Sequence, residues 1–558
     1  LWDYDTDTKE EILSGPPKRI AYDADGKPSK ALEGFLRTQN ITPNDLFEQE
    51  TEKGTYICAR RTVGGKKAKA ILAEIMPDLI LGIPFAKRMR WGESSLAYAR
   101  PVHWILALLD TEVVPFTLHE LTSGRLTYGH RIHGIGPFTV DSTENYLDVL
   151  KNQCCITLSG EERRATIVRD GNSMAEKIGG KILSNDRLLQ EVEGLVEHPV
   201  PLLADFDPCY LEVPREVLIT SMESHQKSFG VEDSAGNLLP HFLTVINLDP
   251  TDPAVVKKGW ERVLHARLED ARFFWKEDLR SNFDTWLAKL DHVIFIGPLG
   301  TMGDKTRRLE ELCGWIAEKV TDADAALIDR AKRAGRLSKA DLVSGMVGEF
   351  DTLQGIMGGI YADKWHEDHD VASALKEQYL PAGPETPLPQ TLLGAILSIA
   401  DKADTIAGCF GLRKIPSGTA DPNGLRRCAL GIIRITQAFS LSINIQELFA
   451  KAQALYGEKA WKLTAEDALQ KMMEFFSARL QHHLEANGNN VIVTDAILRA
   501  GMDTVPDVFK RLAAFTEFQK RTDYIENVQV MKRIGNILQK QKTSAALSID
   551  ETLFQDLF

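Results

Sequence analysis

Apolar positions recur with two different periods along this 558-residue chain. In the first half, β-rich runs alternate with stretches of helical spacing. Beyond about Leu299 the helical period takes over almost completely. Tyr56–Arg61 reads as a short strand ended by Gly64-Gly65. Ala68–Leu81 carries Ile71, Leu72, Ile75, Met76 and Leu79 at helical spacing, and Pro77 is expected to kink or break that helix. Val102–Leu109 and Val113–Thr117 read as strands joined around Asp110-Thr111. Thr143–Gln153 and Glu161–Ile178 read as helices, the second stopping at Gly179-Gly180. Met222–Asn247 carries a hairpin whose turn is Ser234-Ala235-Gly236-Asn237.

Lys258–Leu290 is helical and charged. The helical pattern from Leu299 to about Gln437 is interrupted by Pro381–Pro389 and by the loop Pro416–Pro422. Further on, Met472, Phe476, Leu480 and Leu484 repeat every fourth residue and Gly488 follows as a stop. The pattern predicts an α+β multidomain chain: a mixed α/β N-terminal half followed by an all-α half. The expected divisions are 1–140, an α+β N-terminal domain; 141–290, an α+β body with the hairpin; 291–437, a helical domain; and 438–558, further helices.

An apolar fraction of 43% is enough to build large cores, and no window is apolar for the ~18 residues a membrane span needs. Leu1–Glu10 is acidic and polar and lacks the basic and apolar regions of a secretion signal. The seven cysteines are scattered without a Cys-x-x-Cys pair, which reads as free thiols in a reducing cytoplasm. A net charge of −13 argues against a broad, non-specific nucleic-acid face. Docking one folded RNA through local patches of Lys and Arg is compatible with it.

Several motifs are missing. Gly64-Gly65-Lys66-Lys67 has the composition of a phosphate-binding loop without its spacing. There is no G-x-S-x-G elbow, no H-E-x-x-H helix and no class I synthetase signature. The chain therefore shows no self-contained site for activating an amino acid with ATP, and no catalytic residue is assigned.

The stretch Arg336–Thr405 holds the most suggestive chemistry. Leu337–Val343 is expected to open a helix, and Ile396–Ala407 forms another that places Asp401 and Asp404 on one face. This resembles the HD superfamily, in which a His-Asp doublet and a distant Asp hold a divalent metal for phosphohydrolysis. The doublet here is Ala340-Asp341, and a methyl group cannot replace an imidazole ligand. Asp341, Asp401 and Asp404 are read as degenerate HD-like carboxylates in a structural domain, with no metal. The rival reading needs a histidine from elsewhere, such as His366 or His369 in the acidic segment Lys364–Asp370.

Other candidates are basic. Arg100, His103, His130 and Arg131 stand beside aromatic residues, and such mixtures bind phosphates and stack on unpaired bases. The alternative is that Trp104 is core and His103 a buried, satisfied histidine. Arg262, Arg267 and Arg272 share one helical run that faces phosphates or, with Glu269 and Asp270, forms a solvated face around a packed Phe273–Trp275 core. Arg426 and Arg427 sit at a loop–helix junction suited either to phosphate or to a neighbouring carboxylate.

An ordered set of short segments adds to this reading. Ala99-Arg100-Pro101-Val102-His103, Tyr128-Gly129-His130-Arg131, Ala271-Arg272-Phe273-Phe274 and Leu299-Gly300-Thr301 come first. Lys339-Ala340-Asp341-Leu342, Leu353-Gln354-Gly355-Ile356-Met357-Gly358, Glu377-Gln378-Tyr379, Ala400-Asp401-Lys402-Ala403-Asp404 and Asp421-Pro422 with Leu425-Arg426-Arg427 follow. Together they resemble the beta subunit of bacterial glycyl-tRNA synthetase, over about Ala21 to Leu538.

The resemblance implies an α2β2 ligase. Its alpha subunit would hold the class II site and use ATP and Mg2+ to make glycyl-adenylate. Its beta subunit would bind and orient tRNA(Gly) in the cytoplasm, with no cofactor of its own and no membrane or DNA partner. It also implies an HD-like domain at 291–437 and, after 438, the approach to a C-terminal anticodon-binding domain. The family's N-terminal segment with its Glu-Glu-Leu-Pro stretch is expected before Leu1, and most of the anticodon-binding domain after Phe558. The competing functions are an HD-type metal-dependent phosphohydrolase and a non-catalytic RNA-binding scaffold.

Overall fold

The structure is a computed structural model that describes residues 9–23, 26–39, 41–51, 54–63, 67–183, 185–320 and 324–540. The expected stop at Gly64-Gly65 lies outside them. The chain divides into two units, residues 1–204 with 227–258, and residues 205–226 with 259–558.

Unit 1 is α+β. Strand Gly54–Val63 lies between Lys9–Pro17 and Leu46–Thr51 in an antiparallel three-stranded sheet. Helix Lys30–Gln39 packs Leu32, Phe35 and Leu36 against Ile57 and Leu46. Helix Ala68–Gly82 continues through Pro77 without the expected break. None of its residues is buried, so the one backbone carbonyl that Pro77 leaves without an intrahelical donor stays within reach of water. Between residues 105 and 139 the strands shrink to two to four residues, and the expected turn at Asp110 is a tight hairpin pairing Leu108 with Val113. Asp110 takes a positive φ of 53° there, which Asp tolerates.

The larger sheet of unit 1 has the order Lys181–Ile182, Phe229–Glu232, Leu238–Ile246, Val200–Asp205. The expected hairpin is its centre, with Phe229 opposite Leu243. Helices Gly160–Glu176 and Asp186–Glu193 cover one face, where Ile167, Val192, Phe229, Val231 and Leu243 form the core.

Unit 2 is helical throughout its described residues. Helix Leu392–Gly411 is its axle: 17 of its 20 residues are buried, so it is enclosed all round rather than on one face. Around it pack Met302–Lys319, Ala325–Leu337, His369–Glu377, Leu425–Ala438, Ile445–Ala454 and Ala465–Ala486. Gly335 lets Ala325–Leu337 approach its neighbour closely, since a Cβ there would lie 2.5 Å from the Leu309 carbonyl oxygen. The fourfold repeat Met472, Phe476, Leu480, Leu484 is the buried stripe of Ala465–Ala486. The helix expected to start at Leu337–Val343 does not: Ala325–Leu337 ends there, and Ala340–Val343 is a single 3-10 turn. Asp341 lies on that turn and is fully buried.

A buried ion cluster and an exposed basic–aromatic face

The carboxylates read as degenerate HD-like ones lie in unit 2: Asp341 and Asp404 are fully enclosed, and the Asp401 side chain is 14% exposed. Asp401 and Asp404 project from the axle helix, as their three-residue spacing requires. Lys305, from helix Met302–Lys319, places its ammonium 3.0 Å from Asp404 Oδ2 and 2.9 Å from Asp401 Oδ1, the second contact being an ion pair outside hydrogen-bond alignment. Arg308, one turn further along, grips Asp404 in a fork, Nε to Oδ1 at 2.6 Å and Nη2 to Oδ2 at 3.2 Å. Its guanidinium lies 3.8 Å over the Tyr456 ring, whose hydroxyl donates to Asp404 Oδ2 at 3.2 Å. Lys339 reaches Asp401 Oδ2 at 3.2 Å, donates to Gln378 Oε1 at 2.8 Å and lies 4.1 Å over Tyr379.

Burial alone would raise the pKa of both carboxyls. The neighbouring cations outweigh it and hold Asp401 and Asp404 below the usual carboxylate range. Asp341 behaves oppositely. Its Oδ2 accepts from the Gly355 and Gly358 amides at 2.5 and 3.0 Å, its Oδ1 has no partner, and burial pushes its pKa up to about 6.

These residues do not fit a divalent metal. Two ammonium groups within 3.2 Å of Asp401 stand where a cation would be held, and Asp341 is turned onto backbone amides. His366 and His369 supply no imidazole: both are exposed, and His369 stands 3.5 Å from Asp363. Lys305 and Lys339 neutralise Asp401, the role a bound cation would have there. Position 305 lies far upstream of the motif, so nothing in the local spacing pointed to it.

The basic candidates separate into free and committed side chains. Arg272 is bound to Glu212, Nε to Oε1 at 2.5 Å. Arg267 faces Glu349 at 3.6 Å. Arg426 donates to the Gly418 carbonyl at 2.7 Å, holding its own loop. Arg262 and Arg427 are exposed, the first lining a shallow cleft with Asp205, Asp207 and His265.

In unit 1, the Tyr128–Gly134 segment folds into a tight loop: the His130 amide donates to the Cys154 carbonyl at 2.7 Å and the Gly134 amide to the His130 carbonyl at 2.8 Å. A side chain at Gly129 or Gly134 would collide with Cys154. The loop turns His130 inward to 2% exposure. Its Nδ1 accepts from the Ile132 and His133 amides, and its Nε2 donates to the Asn247 carbonyl. Neither nitrogen is left for a phosphate, so His130 is a structural residue and the expectation of a nucleic-acid contact there is corrected.

Arg131 points out of the same loop without an ion pair or hydrogen bond among the described residues, and Arg100 meets only the neighbouring Ala99 carbonyl at 3.4 Å. Both line a cleft of about 920 Å³ with Glu197 and Asn247. Arg163, also in that cleft, is committed: it donates to the Thr157 and Leu158 carbonyls at 2.7 Å. His103 is exposed rather than buried. Trp104 is not core either: it is 41% exposed and meets Tyr128 ring to ring at 4.8 Å, joining the two segments that carry Arg100 and Arg131. Free guanidiniums hold phosphates, and solvent-facing aromatic rings hold unpaired bases.

Comparison with known proteins places the chain among the aminoacyl-tRNA synthetases: a family model described as glycyl-tRNA synthetase beta subunit matches residues 2–499. Proteins named glycine–tRNA ligase beta subunit are similar along its length. That of Nitratidesulfovibrio vulgaris is 56% identical over 548 residues, covering 98% of this chain and 78% of the relative. Those of Oleidesulfovibrio alaskensis and Geobacter sulfurreducens are 54% and 43% identical, covering 98% and 97% of this chain and 79% and 78% of theirs. The chain belongs to the glycyl-tRNA synthetase beta-subunit family. Its activity is accordingly that of a glycine–tRNA ligase, exercised as the beta subunit. No helix among the described residues is long and apolar enough to cross a membrane.

Proposed function

We propose that this chain binds and orients tRNA(Gly) for a separate alpha subunit, which forms glycyl-adenylate from ATP and glycine with Mg2+, in an α2β2 enzyme. The observation that carries this is the pair of uncommitted guanidiniums in one cleft, Arg100 and Arg131, on the two chain segments that also carry the exposed, mutually packed Trp104 and Tyr128 rings. Phosphate contacts fix the register of an RNA, and aromatic faces hold its unpaired bases. The sequence carries no ATP-binding signature, so adenylate chemistry is assigned to the partner. Holding the terminal adenosine close to the adenylate can itself supply much of the rate. Seven unpaired cysteines are in keeping with a reducing cytoplasm. No observation favours the phosphohydrolase reading, because lysine and arginine saturate the carboxylates that a metal would need.

The test uses the full chain assembled with its alpha subunit. The double charge reversal Arg100→Glu, Arg131→Glu is expected to leave glycine-dependent ATP–pyrophosphate exchange intact. It lowers kcat/KM for tRNA by at least about tenfold, the loss of one charge-assisted hydrogen bond or more. Unchanged aminoacylation in that variant would remove this face from the tRNA site, and exchange activity in the isolated chain would overturn the division of labour.

A further inference from the structure

Three loops of unit 1 bring two imidazoles and a carboxylate together across large gaps in sequence. His133 leaves the tight Gly129–Gly134 loop, His198 precedes strand Val200–Asp205, and Asp249 follows strand Leu238–Ile246. One donor atom from each lies within 4.8 Å of the other two. The Asp249 amide donates to His133 Nε2 at 2.9 Å, so that nitrogen carries a lone pair and the ring proton of the neutral imidazole sits on Nδ1. His198 Nε2 meets Asp249 Oδ2 at 2.9 Å, which puts a single proton on the line between them. His130 stacks on His133 with ring centroids 4.9 Å apart, yet both its nitrogens are spent on backbone groups and it cannot join as a ligand. The cluster opens to solvent: the His198 side chain is 27% and the Asp249 side chain 68% exposed.

We propose that His133, His198 and Asp249 bind one divalent ion of the zinc class. The donor set decides the class. Two neutral imidazoles and one carboxylate suit zinc and its neighbours, whereas magnesium and calcium call for all-oxygen ligands. Four donors placed tetrahedrally at zinc–nitrogen and zinc–oxygen distances of about 2.0–2.2 Å stand roughly 3.4 Å apart. From separations of at most 4.8 Å the cluster therefore has to contract by up to about 1.4 Å, which the exposed Asp249, just beyond a strand end, can supply. The ion takes the place of the proton between His198 and Asp249 and captures the His133 lone pair from the Asp249 amide. Neutral His198 carries that one proton and moves it to Nδ1, so none is released and no oxidant or further reactant is involved. Three protein ligands leave a fourth position for water. The ion ties the His133 loop to the Asn247–Asp249 turn, whose Asn247 and Leu248 line the same cleft as Arg100 and Arg131. It would thereby brace one wall of that cleft.

The test is a calorimetric titration of the full, chelator-stripped chain with Zn2+ alone, near neutral pH, in the unsubstituted protein and in His133→Ala and Asp249→Asn. Asp249→Asn changes an exposed side chain and keeps the backbone amide that holds His133, so circular dichroism should match the parent. The expected result is one ion per chain, with affinity falling more than about tenfold in both variants. Co2+ should give visible ligand-field bands in the parent that Asp249→Asn loses, and excess Mg2+ should not compete. No saturable Zn2+ binding, or binding equal in parent and both variants, would overturn the proposal and leave the cluster a plain hydrogen-bond network.

Discussion

At the scale of single residues, the buried cluster of unit 2 sets the sharpest expectations. Removing one partner of a buried ion pair leaves the other uncompensated, at a cost of about 3–5 kcal/mol. Lys305 serves Asp401 and Asp404 together and is 2% exposed. Lys305→Met should therefore lower unfolding stability by about 3–5 kcal/mol in urea melts, and Asp404→Asn by a comparable amount. A change below about 1 kcal/mol in both would mean that the cluster is hydrated and not closed. Asp341 gives a pH signature of opposite sign to its neighbours. Its folded-state pKa of about 6 lies above the usual 3.8, so the folded chain holds that proton more tightly than the unfolded one. Ionising it therefore works against folding. Its contribution falls as pH rises from about 4 to about 6, by at most about 3 kcal/mol, and stays level above that. The stability difference between the parent and Asp341→Asn should shrink across that window. A flat difference would show that Lys339 and the two glycine amides already hold Asp341 ionised. The carboxylates themselves were legible from their spacing on a helix, whereas the lysines that neutralise them were not, because long-range pairing leaves no local pattern.

At the scale of elements, legibility followed the amount of apolar surface each segment buries. Ala465–Ala486 declares itself through four residues on one stripe, and the Phe229–Ile246 hairpin through a turn whose Asp233 carboxylate accepts the Ala235 and Asn237 amides at 2.8 and 2.9 Å. Short strands between 105 and 139 were overextended in sequence, since two paired residues cannot produce an alternation. Helix Phe283–Leu290 shows what pattern alone cannot: it is only eight residues long, yet Trp286 is 1% exposed and packs edge-on against Tyr361 and Trp365 at 4.9 Å. Tyr361 in turn donates to Asp278 at 2.7 Å, and Asp278 accepts the Gly345 and Met346 amides at 2.8 and 2.9 Å, fixing the start of Gly345–Glu349. Trp286→Ala should cost about 3–5 kcal/mol, and Trp286→Phe distinctly less, as read by thermal or urea unfolding. Equal losses in the two variants would assign the effect to the indole's shape rather than to buried volume.

At the scale of the whole molecule, a net charge of −13 and a tRNA partner are reconciled only if binding is local. The same reasoning sets how binding should respond to salt. Each phosphate contact adds roughly 0.7–0.9 to the steepness with which log K falls against log salt. Arg100 and Arg131 are uncommitted in unit 1, whereas Arg267, Arg272 and Arg426 in unit 2 are already held by Glu349, Glu212 and the Gly418 carbonyl. Replacing Arg100 and Arg131 by Ala in the assembled enzyme should therefore flatten the tRNA(Gly) salt slope by about 1.5. Replacing Arg272 and Arg426 should leave the slope unchanged and lower stability instead, because their charges serve the fold. Filter-binding isotherms across a range of salt concentrations decide between the two outcomes. A slope that flattens only in the second pair would move the RNA face to unit 2 and end the reading of Trp104 and Tyr128 as base-stacking groups.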